Sequence, residues 1–174
     1  MSNILITGVG SYLPSNIITN KELPENLNTS DEWIKKRTGI KQRYLVSEGE
    51  FTSTMAIAAS KKALQNANID SKEIDLIIVA TTTPDQTFPA TAVKVQSELN
   101  INIGPAFDIQ AVCAGFIYAL NVGSSLLKTS NFSKALIIGS ESFSKILDWS
   151  DRSTCVLFGD GAGAVILEKS NKYS

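Results

Sequence analysis

The segment from Ile109 to Leu127 carries no charged side chain, and this run constrains the fold more than any other part of the chain. Its length would suit a membrane span, but Gln110, Asn121 and two serines interrupt it, and it begins inside a strand-to-turn pattern. A helix that is apolar on nearly all sides is also typical of a fully buried core. We therefore predict a buried core helix here, and we favour it over a transmembrane helix.

Strand-like and helix-like segments alternate along the chain. The predicted strands are a buried Ile4–Gly10, Gln42–Val46, Leu76–Thr81, the segment leading to Cys113, Ala135–Ser140, and Ala162–Glu168 after a glycine-rich turn. The predicted helices are Thr19–Leu27, Trp33–Thr38 opened by a Thr29–Glu32 capping box, Thr52–Asn68, a helix from Pro89 to Leu99, and the uncharged segment. Strands apolar on both faces that alternate with helices imply one compact α/β unit, with a mainly parallel sheet covered on both sides.

The uncharged helix also predicts a missing layer. A helix that lies on the surface of a two-layer fold normally keeps one charged face. The sheet predicted from this sequence covers only one side of the segment from Ala111 to Leu127. We therefore expect its other side to be covered by a second copy of the chain or by further sequence.

Composition excludes several classes of function. The net charge of −1 and a pI near 5.5 give no basic field for nucleic acid or for an anionic membrane. Two cysteines, Cys113 and Cys155, make no disulfide framework, and the amino-terminal residues lack a signal-peptide pattern. We expect a cytoplasmic protein that needs no metal.

Cys113 has the setting of a catalytic nucleophile. An apolar strand-like run, Phe107 to Val112, turns into a helix-like run directly at this residue. That arrangement would put the sulfur near a helix amino terminus, where backbone N–H groups favour a thiolate and could form an oxyanion hole. The chain contains no histidine, so the usual proton-transfer partner of such a thiol is absent from it.

A basic stretch follows the second predicted helix start. From Lys35 to Arg43 there are five basic residues and no acidic one. Trp33 and Arg37 lie four residues apart, so an indole ring and a guanidinium could project from one helical face. Such a pair can stack on an aromatic ring system and meet a phosphate. The alternative is a solvated basic helix end that a tryptophan anchors to the core.

Two further stretches lie near the carboxyl end, Asp148–Thr154 and Phe158–Ala164. The second is rich in glycine but lacks the lysine and the spacing of a P-loop, and it precedes a strand instead of a helix. We predict a tight turn that Asp160 caps and that lets the backbone pass close to the active site. Cys155 is surrounded by apolar residues and is predicted to be a small buried hydrophobe.

Together these stretches resemble the β-ketoacyl-acyl-carrier-protein synthase III family of the thiolase-like superfamily. The residues that carry the resemblance are Gly8–Pro14, Asp31–Ile34 with Arg37–Ile40, Ala111–Phe116 and Phe158–Gly163. The resemblance covers essentially all of residues 1–174, but only the amino-terminal half of the family's length. It implies a thiolase-like half-domain, which is one half of an αβαβα layered fold.

The resemblance also implies a chemistry. The cysteine matching Cys113 takes an acyl group, typically acetyl, from coenzyme A, and decarboxylation of malonyl-acyl-carrier protein then supplies the carbanion that attacks this thioester. Coenzyme A is a substrate, and no further cofactor is implied. Residues matching Thr29, Trp33, Arg37 and Arg152 contact coenzyme A. Phe143 and Phe158 are expected to line the acyl pocket, and Phe88 is expected to reach into the pocket of a partner in a homodimer.

The family uses a histidine and an asparagine from its carboxy-terminal half for decarboxylation. Because neither has a counterpart here, we expect the chain to be a truncated part that cannot condense by itself. Two alternatives remain. One is a stand-alone module that binds acyl-CoA or a carrier protein, and the other is a related condensing enzyme of the polyketide or hydroxymethylglutaryl-CoA synthase type.

Overall fold

The computed structural model describes residues 3–170 and contains a five-stranded sheet with helices on both faces. The strands are β1 (Asn3–Tyr12), β2 (Asn16–Thr19), β3 (Gln42–Leu45), β4 (Leu76–Ala80), β5 (Ala106–Ile109), β6 (Lys134–Ser142) and β7 (Asp160–Ser170). The helices are α1 (Asp31–Thr38), α2 (Thr52–Ala67), α3 (Thr91–Glu98), α4 (Gly115–Thr129) and the short α5 (Arg152–Cys155).

The order of strands in the main sheet is β1-β7-β6-β4-β5. β4 pairs in parallel with both β5 and β6, whereas β7 is antiparallel to both β6 and β1. Four strands therefore run in one direction and β7 alone runs against them, which confirms the mainly parallel mixed sheet. β4 lies inside the sheet and all five of its residues are buried, as its continuous apolar sequence predicts.

Each face of the sheet has its own core. On one face, α2 and α3 pack on alternate strand residues such as Ile77 and Ile138, through a stripe of small residues at Ala56, Ala59 and Ala63. On the other face, α4 packs on the intervening residues, which include Ile78 and Ile137. The two helical layers confirm that the sheet is covered on both sides.

A third, smaller core supports α1 and the antiparallel pair of β2 and β3. It consists of five buried residues, Leu23, Leu27, Ile34, Cys155 and Val156, against which Trp33 and Trp149 pack. This small core joins α1 to the segment that follows α5. The prediction that Cys155 is a buried hydrophobe is confirmed, because its side chain is fully enclosed here.

The amino-terminal predictions need correction. β1 lies at the edge of the sheet and extends to Tyr12, and Leu5, Ile6 and Val9 are exposed, so the expected buried strand is wrong in that respect. The predicted helix from Thr19 to Leu27 is two separate 3-10 turns, because Pro24 interrupts it.

Two helix starts and one turn also differ from expectation. Ser30 caps α1 by accepting from the Trp33 N–H, so the Thr29–Glu32 capping box does not form. Pro89 precedes α3, whose first residue is Thr91. The glycine-rich stretch is the beginning of strand β7, not a turn before it.

Helix α4 contains the uncharged segment up to Leu127 and one basic residue, Lys128, in its last turn, and it is covered on one side only. Ala119, Gly123 and Leu127 are buried against the sheet, and a Cβ atom on Gly123 would approach the Ile137 Cδ1 to 2.6 Å. Ile117 and Tyr118 on the other side are exposed. The expected second covering layer is therefore absent from residues 3–170. Within those residues, no helix combines the length and the apolar character needed to cross a bilayer.

Candidate active site

Cys113 lies in a 3-10 turn, Val112–Ala114, that connects β5 directly to α4. The Asp108 carboxylate on β5 accepts from the backbone N–H groups of Thr91 and Ala92 at 2.7 and 2.8 Å. The strand that leads to the cysteine is thereby fixed to the first turn of α3. The predicted position of Cys113 immediately before a helix is confirmed.

The backbone of this turn is strained. Val112 has a φ of 47°, and such left-handed values are unfavourable for a β-branched residue. The N–H groups of Ala114 and Gly115 donate to Ala111 O and Val112 O. These two donors are therefore already engaged, and the expectation that N–H groups of this turn form an oxyanion hole is not met by them.

The exposed thiol of Cys113 stands between two cavities. The larger one, about 360 Å³, is bounded by Leu13, Phe116 and the β7 glycines Gly161 and Gly163. The smaller one measures about 190 Å³. Both share three residues, Val112, Cys113 and Glu141. A group attached to the sulfur would therefore lie at the wall that separates the two cavities.

The smaller cavity has an aromatic wall. Phe143 and Phe158 line it together with Cys113, and their ring centroids are 4.5 Å apart at an interplanar angle of 30°. This contact distance is typical of a favourable aromatic pair. The structure therefore brings together three predicted site residues, from β5–α4, the end of β6 and the start of β7.

Glu141 is a site residue that the sequence analysis missed. It is the last residue but one of β6, and its carboxylate accepts from the N–H and hydroxyl of Thr82 at 2.8 and 2.9 Å and from the Thr83 hydroxyl at 2.5 Å. The signal was present in the sequence. Polar residues follow both β4 and β6, and the carboxyl ends of parallel strands are where α/β sheets bind ligands.

Asp160 fixes the aromatic wall. Its buried carboxylate accepts from the Ser144 N–H and hydroxyl, and also from the Val46 N–H at 2.7 Å. Ser144 follows Phe143 directly, and Asp160 lies two residues after Phe158. Asp160 therefore connects the two segments that carry the rings with the end of β3, instead of capping a glycine turn as predicted.

A second cluster surrounds Trp33. The Cζ atom of Arg37 lies 4.3 Å from the centroid of the indole ring and that of Arg152 lies 5.2 Å from it. Both guanidinium groups are within the range of cation–π attraction. The predicted shared helical face of Trp33 and Arg37 is confirmed, and Arg152 joins it from α5. None of the three lines either cavity at Cys113.

Thr29 lies beside the same cluster. Arg152 Nη1 donates to the carbonyl of Asn28, the preceding residue, at 3.0 Å. The Thr29 hydroxyl oxygen is enclosed and has no hydrogen-bond partner among the residues that the structure describes. The cluster thus combines a planar ring, two exposed cations and an unused hydroxyl, which is a suitable set for a nucleotide.

Hydrogen bonds on both sides hold α1 in place. The Asn20 amide donates to Asp31 Oδ1 at 2.9 Å and to Ile40 O at 2.8 Å, so it binds residues at the start of α1 and just beyond its end. Lys35 and Asn20 together lower the pKa of Asp31, because both stabilise its charged form. The negative charge of Asp31 also suits the amino terminus of the helix.

Arg43 joins the Trp33 cluster to the aromatic wall. Its buried guanidinium donates to Asn20 Oδ1 at 2.8 Å and to Val156 O at 3.1 Å. Burial lowers the pKa of Arg43 and raises the pKa of the neighbouring Cys155 thiol, because each charged form loses hydration. Since Asn20 also binds Asp31 and Val156 lies two residues before Phe158, Arg43 and Asn20 together connect α1 by hydrogen bonds to the segment that carries Phe158.

Phe88 stands apart from both clusters. It lies on the loop before α3, with 82% of its surface exposed, and it lines neither cavity at Cys113. The structure therefore brings together seven of the eight predicted site residues in two clusters and leaves Phe88 outside them. Within residues 3–170, no group of three His, Cys, Asp or Glu side chains is arranged to hold a metal ion.

Residues 107–174 match the family model described as 3-oxoacyl-[acyl-carrier-protein (ACP)] synthase III. A curated β-ketoacyl-[acyl-carrier-protein] synthase III from Erythrobacter litoralis is 60% identical over 168 residues, which are 97% of this chain and 52% of that protein. The chain spans about half the length of the curated relatives it matches.

Solved structures give the same picture. The 3-oxoacyl-[acyl-carrier-protein] synthase III of Aquifex aeolicus VF5 superposes with a TM-score of 0.94 at 50% identity, over 98% of this chain and 55% of that one. The priming β-ketosynthase of the R1128 polyketide pathway superposes with a TM-score of 0.92 at 36% identity, over 97% of this chain and 50% of that one. The fold is therefore that of the thiolase-like condensing enzymes, over about half of their length.

Proposed function

Since this chain belongs to the β-ketoacyl-acyl-carrier-protein synthase III family over about half of that family's length, we propose that it carries the acyl-accepting site of such an enzyme. The parent enzyme would condense acetyl-CoA, or another short acyl-CoA, with malonyl-acyl-carrier protein and so initiate fatty-acid synthesis. Cys113 would carry the acyl group between the two steps. Coenzyme A enters as a substrate, and the proposal requires no other cofactor.

The position of Cys113 carries this proposal. Its thiol is exposed at the wall shared by two cavities, one of which has the aromatic pair Phe143 and Phe158 on its other side. The sulfur would attack the thioester carbonyl, and the coenzyme A thiol would leave with the proton. The acyl chain would then lie against the two phenyl rings in the 190 Å³ cavity, which suits a short chain.

Coenzyme A would bind at the second cluster. The adenine ring would stack on Trp33 in the place that the Arg152 guanidinium now occupies, and this guanidinium would move to the other side of the adenine, while Arg37 would meet a phosphate. The enclosed Thr29 hydroxyl, which has no partner in the described part of the chain, would gain a hydrogen bond. The link through Arg43 and Val156 would hold this cluster at a fixed distance from the acyl pocket.

Condensation requires more than the thiol. The enolate that forms when a malonyl thioester loses carbon dioxide needs donors, and imidazole is absent from this chain. We propose that the isolated chain accepts an acyl group but condenses slowly or not at all. In the parent enzyme, which we propose is a homodimer, Phe88 would contact the acyl pocket of the partner.

Acylation by acetyl-CoA tests this function. The purified chain is incubated with acetyl-CoA, and its intact mass and a peptide map are recorded over time. We expect one added acetyl group, on Cys113, and none on Cys155, which is fully buried. A Cys113→Ser variant should bind coenzyme A with unchanged affinity and remain unacylated. Acetylation of that variant to the same extent would contradict the assignment.

The stand-alone binding module is the second candidate. One observation favours it: the Trp33 cluster lies apart from both cavities at Cys113, so nucleotide binding does not need the thiol. The same experiment separates the two functions. A chain that binds coenzyme A but gains no acetyl group from acetyl-CoA would be a binding module.

A further inference from the structure

We propose that Glu141 determines the charge of the acyl group that Cys113 accepts. Its carboxylate would repel an acyl group that ends in a carboxylate and would leave neutral acyl groups unaffected. The substrate class would then be short, uncharged acyl thioesters. This inference rests on the proposed acyl transfer to Cys113, and it concerns the group that occupies the smaller cavity.

Glu141 has the position that such a role needs. It is one of three residues that line both cavities at Cys113, the others being Val112 and Cys113 itself. Apart from Cys113, it is the only ionisable residue among the described residues that line them. An acyl group bound to the sulfur therefore lies next to this carboxylate whichever cavity it enters.

Hydrogen bonds fix the carboxylate in place. Oε1 accepts from the Thr82 N–H and hydroxyl, and Oε2 accepts from the Thr83 hydroxyl. The Thr83 hydroxyl in turn accepts from the Ser142 N–H at 2.9 Å, so the residue after Glu141 is also bound to the segment that follows β4. The carboxylate cannot turn away from the cavities without losing these donors.

No cation within the described residues neutralises Glu141. None of the ion pairs among residues 3–170 includes it, and all of its hydrogen-bond donors are neutral hydroxyl or N–H groups. Its charge therefore acts on an acyl group that is attached to the Cys113 sulfur. Because Phe143, Phe158 and Val112 make much of the wall of the smaller cavity apolar, repulsion between two carboxylates is stronger there than in open solution.

The chemical consequence concerns the acylation step. The Cys113 sulfur forms a bond to the thioester carbonyl carbon, and the coenzyme A sulfur leaves and takes the proton. An acetyl or propionyl group brings no charge into the cavity. A malonyl or succinyl group would bring a carboxylate beside Glu141 and would also lose hydration. Malonyl groups would thus be kept off the cysteine that must carry the starter group.

A pair of alkylating reagents tests the inference without any acyl transfer. Iodoacetamide and iodoacetate have nearly the same shape and both lose iodide to the cysteine sulfur, but only iodoacetate is anionic. The two rate constants for Cys113 are measured by mass spectrometry, and their ratio is divided by the ratio for free N-acetylcysteine. We expect Cys113 to prefer iodoacetamide by about tenfold or more after this correction.

The expected sign is informative, because the amino terminus of α4 acts in the opposite direction. A helix amino terminus attracts anions and by itself would favour iodoacetate. Glu141→Gln should abolish the preference for iodoacetamide, and Glu141→Asp should retain it. Glu98→Gln removes the same charge from an exposed position on α3 that lines neither cavity, so it should leave the ratio unchanged.

Two results would overturn the inference. The first is a wild-type ratio equal to that of the free thiol, which needs no variant and so does not depend on how a variant folds. The second is a Glu141→Gln variant that has the wild-type circular dichroism spectrum and keeps the wild-type ratio. Failure of acetylation by acetyl-CoA would instead contradict the proposed function, and it would not alter the alkylation ratio.

Discussion

Phe143 and Phe158 stack with their ring centroids 4.5 Å apart, although fourteen residues of chain separate them and they belong to different segments. Asp160 holds both segments by accepting from Ser144 and from Val46. The aromatic wall of the small cavity is therefore set by a buried carboxylate, and its position does not depend on either ring alone.

Replacing Phe143 with alanine should enlarge the small cavity. Removal of one ring of the pair leaves space for a longer acyl chain, and it should lower the free energy of unfolding by about 1–3 kcal/mol because the ring is only partly buried. We expect the ratio of hexanoyl to acetyl transfer from coenzyme A to rise at least about tenfold. Phe132→Ala is the control. Phe132 packs against the core between α4 and the sheet and lines neither cavity, so this substitution should reduce stability and leave the ratio unchanged.

The two cysteines should differ sharply in reactivity. Cys113 is exposed, whereas Cys155 is fully buried and the pKa of its thiol is raised, mainly by burial and also by Asp151. We expect iodoacetamide to alkylate Cys113 at least about a hundredfold faster in the folded chain, since Cys155 reacts only when the structure opens. Rates should become equal in concentrated urea, and equal rates in buffer would refute the assigned environments.

Trp33→Ala should weaken coenzyme A binding. The substitution removes the ring on which both arginines lie, and stacking of this kind contributes about 1–2 kcal/mol, so the dissociation constant should rise about five- to thirtyfold. Trp33→Phe keeps an aromatic face and should recover part of the affinity. Isothermal titration calorimetry measures the dissociation constants of both variants. An unchanged dissociation constant for Trp33→Ala would place the nucleotide elsewhere.

Tyr12→Phe should make the free energy of unfolding depend less on pH in the acid range. The Tyr12 hydroxyl donates to Glu50 Oε1, and this bond is the main reason that the pKa of Glu50 is lowered. A lowered carboxyl pKa contributes stability above the unfolded-state value and loses it as the pH falls through the folded-state value. The variant should therefore be less stable near about pH 7, by about 0.5 kcal/mol after solvent screening, and equal to wild type near about pH 2.

In alkali, the stability that the same bond contributes is lost as the pH rises instead of as it falls. The pKa of Tyr12 is raised, chiefly by the bond to Glu50, so its contribution is present below the ordinary tyrosine pKa and is lost as the pH rises through the raised value. Urea denaturation across the pH range measures both limits. Tyr44→Phe is the matched control, since the Tyr44 hydroxyl accepts from Gln42 and has no hydrogen bond to a carboxylate in the part of the chain that the structure describes. An identical pH profile for the two variants would contradict the prediction.

Val112→Gly should raise the stability of the chain or leave its stability unchanged, although a substitution by glycine usually lowers stability. Val112 has a φ of 47° and a largely exposed side chain, so glycine relieves strain of about 1 kcal/mol and loses little packing. Val93→Gly, in the first turn of α3, should instead cost about 0.5 kcal/mol, because glycine there has no left-handed backbone to relieve. Thermal unfolding of the two variants tests this difference in sign.

The sequence predicted the elements that have a strong local signal. The continuous apolar run at Leu76–Ala80 could only be a buried strand, and the alanine spacing of α2 matches the face that packs on the sheet. The Cys113 turn, the Trp33–Arg37 pair and the aromatic wall were also found. The last of these came from family resemblance, because nothing local relates Phe143 to Phe158.

Features set by tertiary contacts were missed. The exposure of β1 follows from its place at the edge of the sheet, which depends on its pairing with β7 at the opposite end of the chain. Glu141 is surrounded by ordinary serines in the sequence, and its place beside Cys113 depends on the parallel register of β4 and β6. The left-handed backbone of Val112 has no sequence signal, since valine normally avoids that conformation.

The strained turn at Val112 has a consequence for how the chain responds to heat. A left-handed valine persists only while β5, α3 and α4 hold the turn in place, and the Asp108 bonds to α3 are part of that support. Warming that loosens this support lets the turn relax before the sheet itself separates. Acetyl transfer to Cys113, which depends on the geometry of the turn, should therefore decline at a lower temperature than the circular dichroism signal, so thermal inactivation and melting would be two distinct transitions.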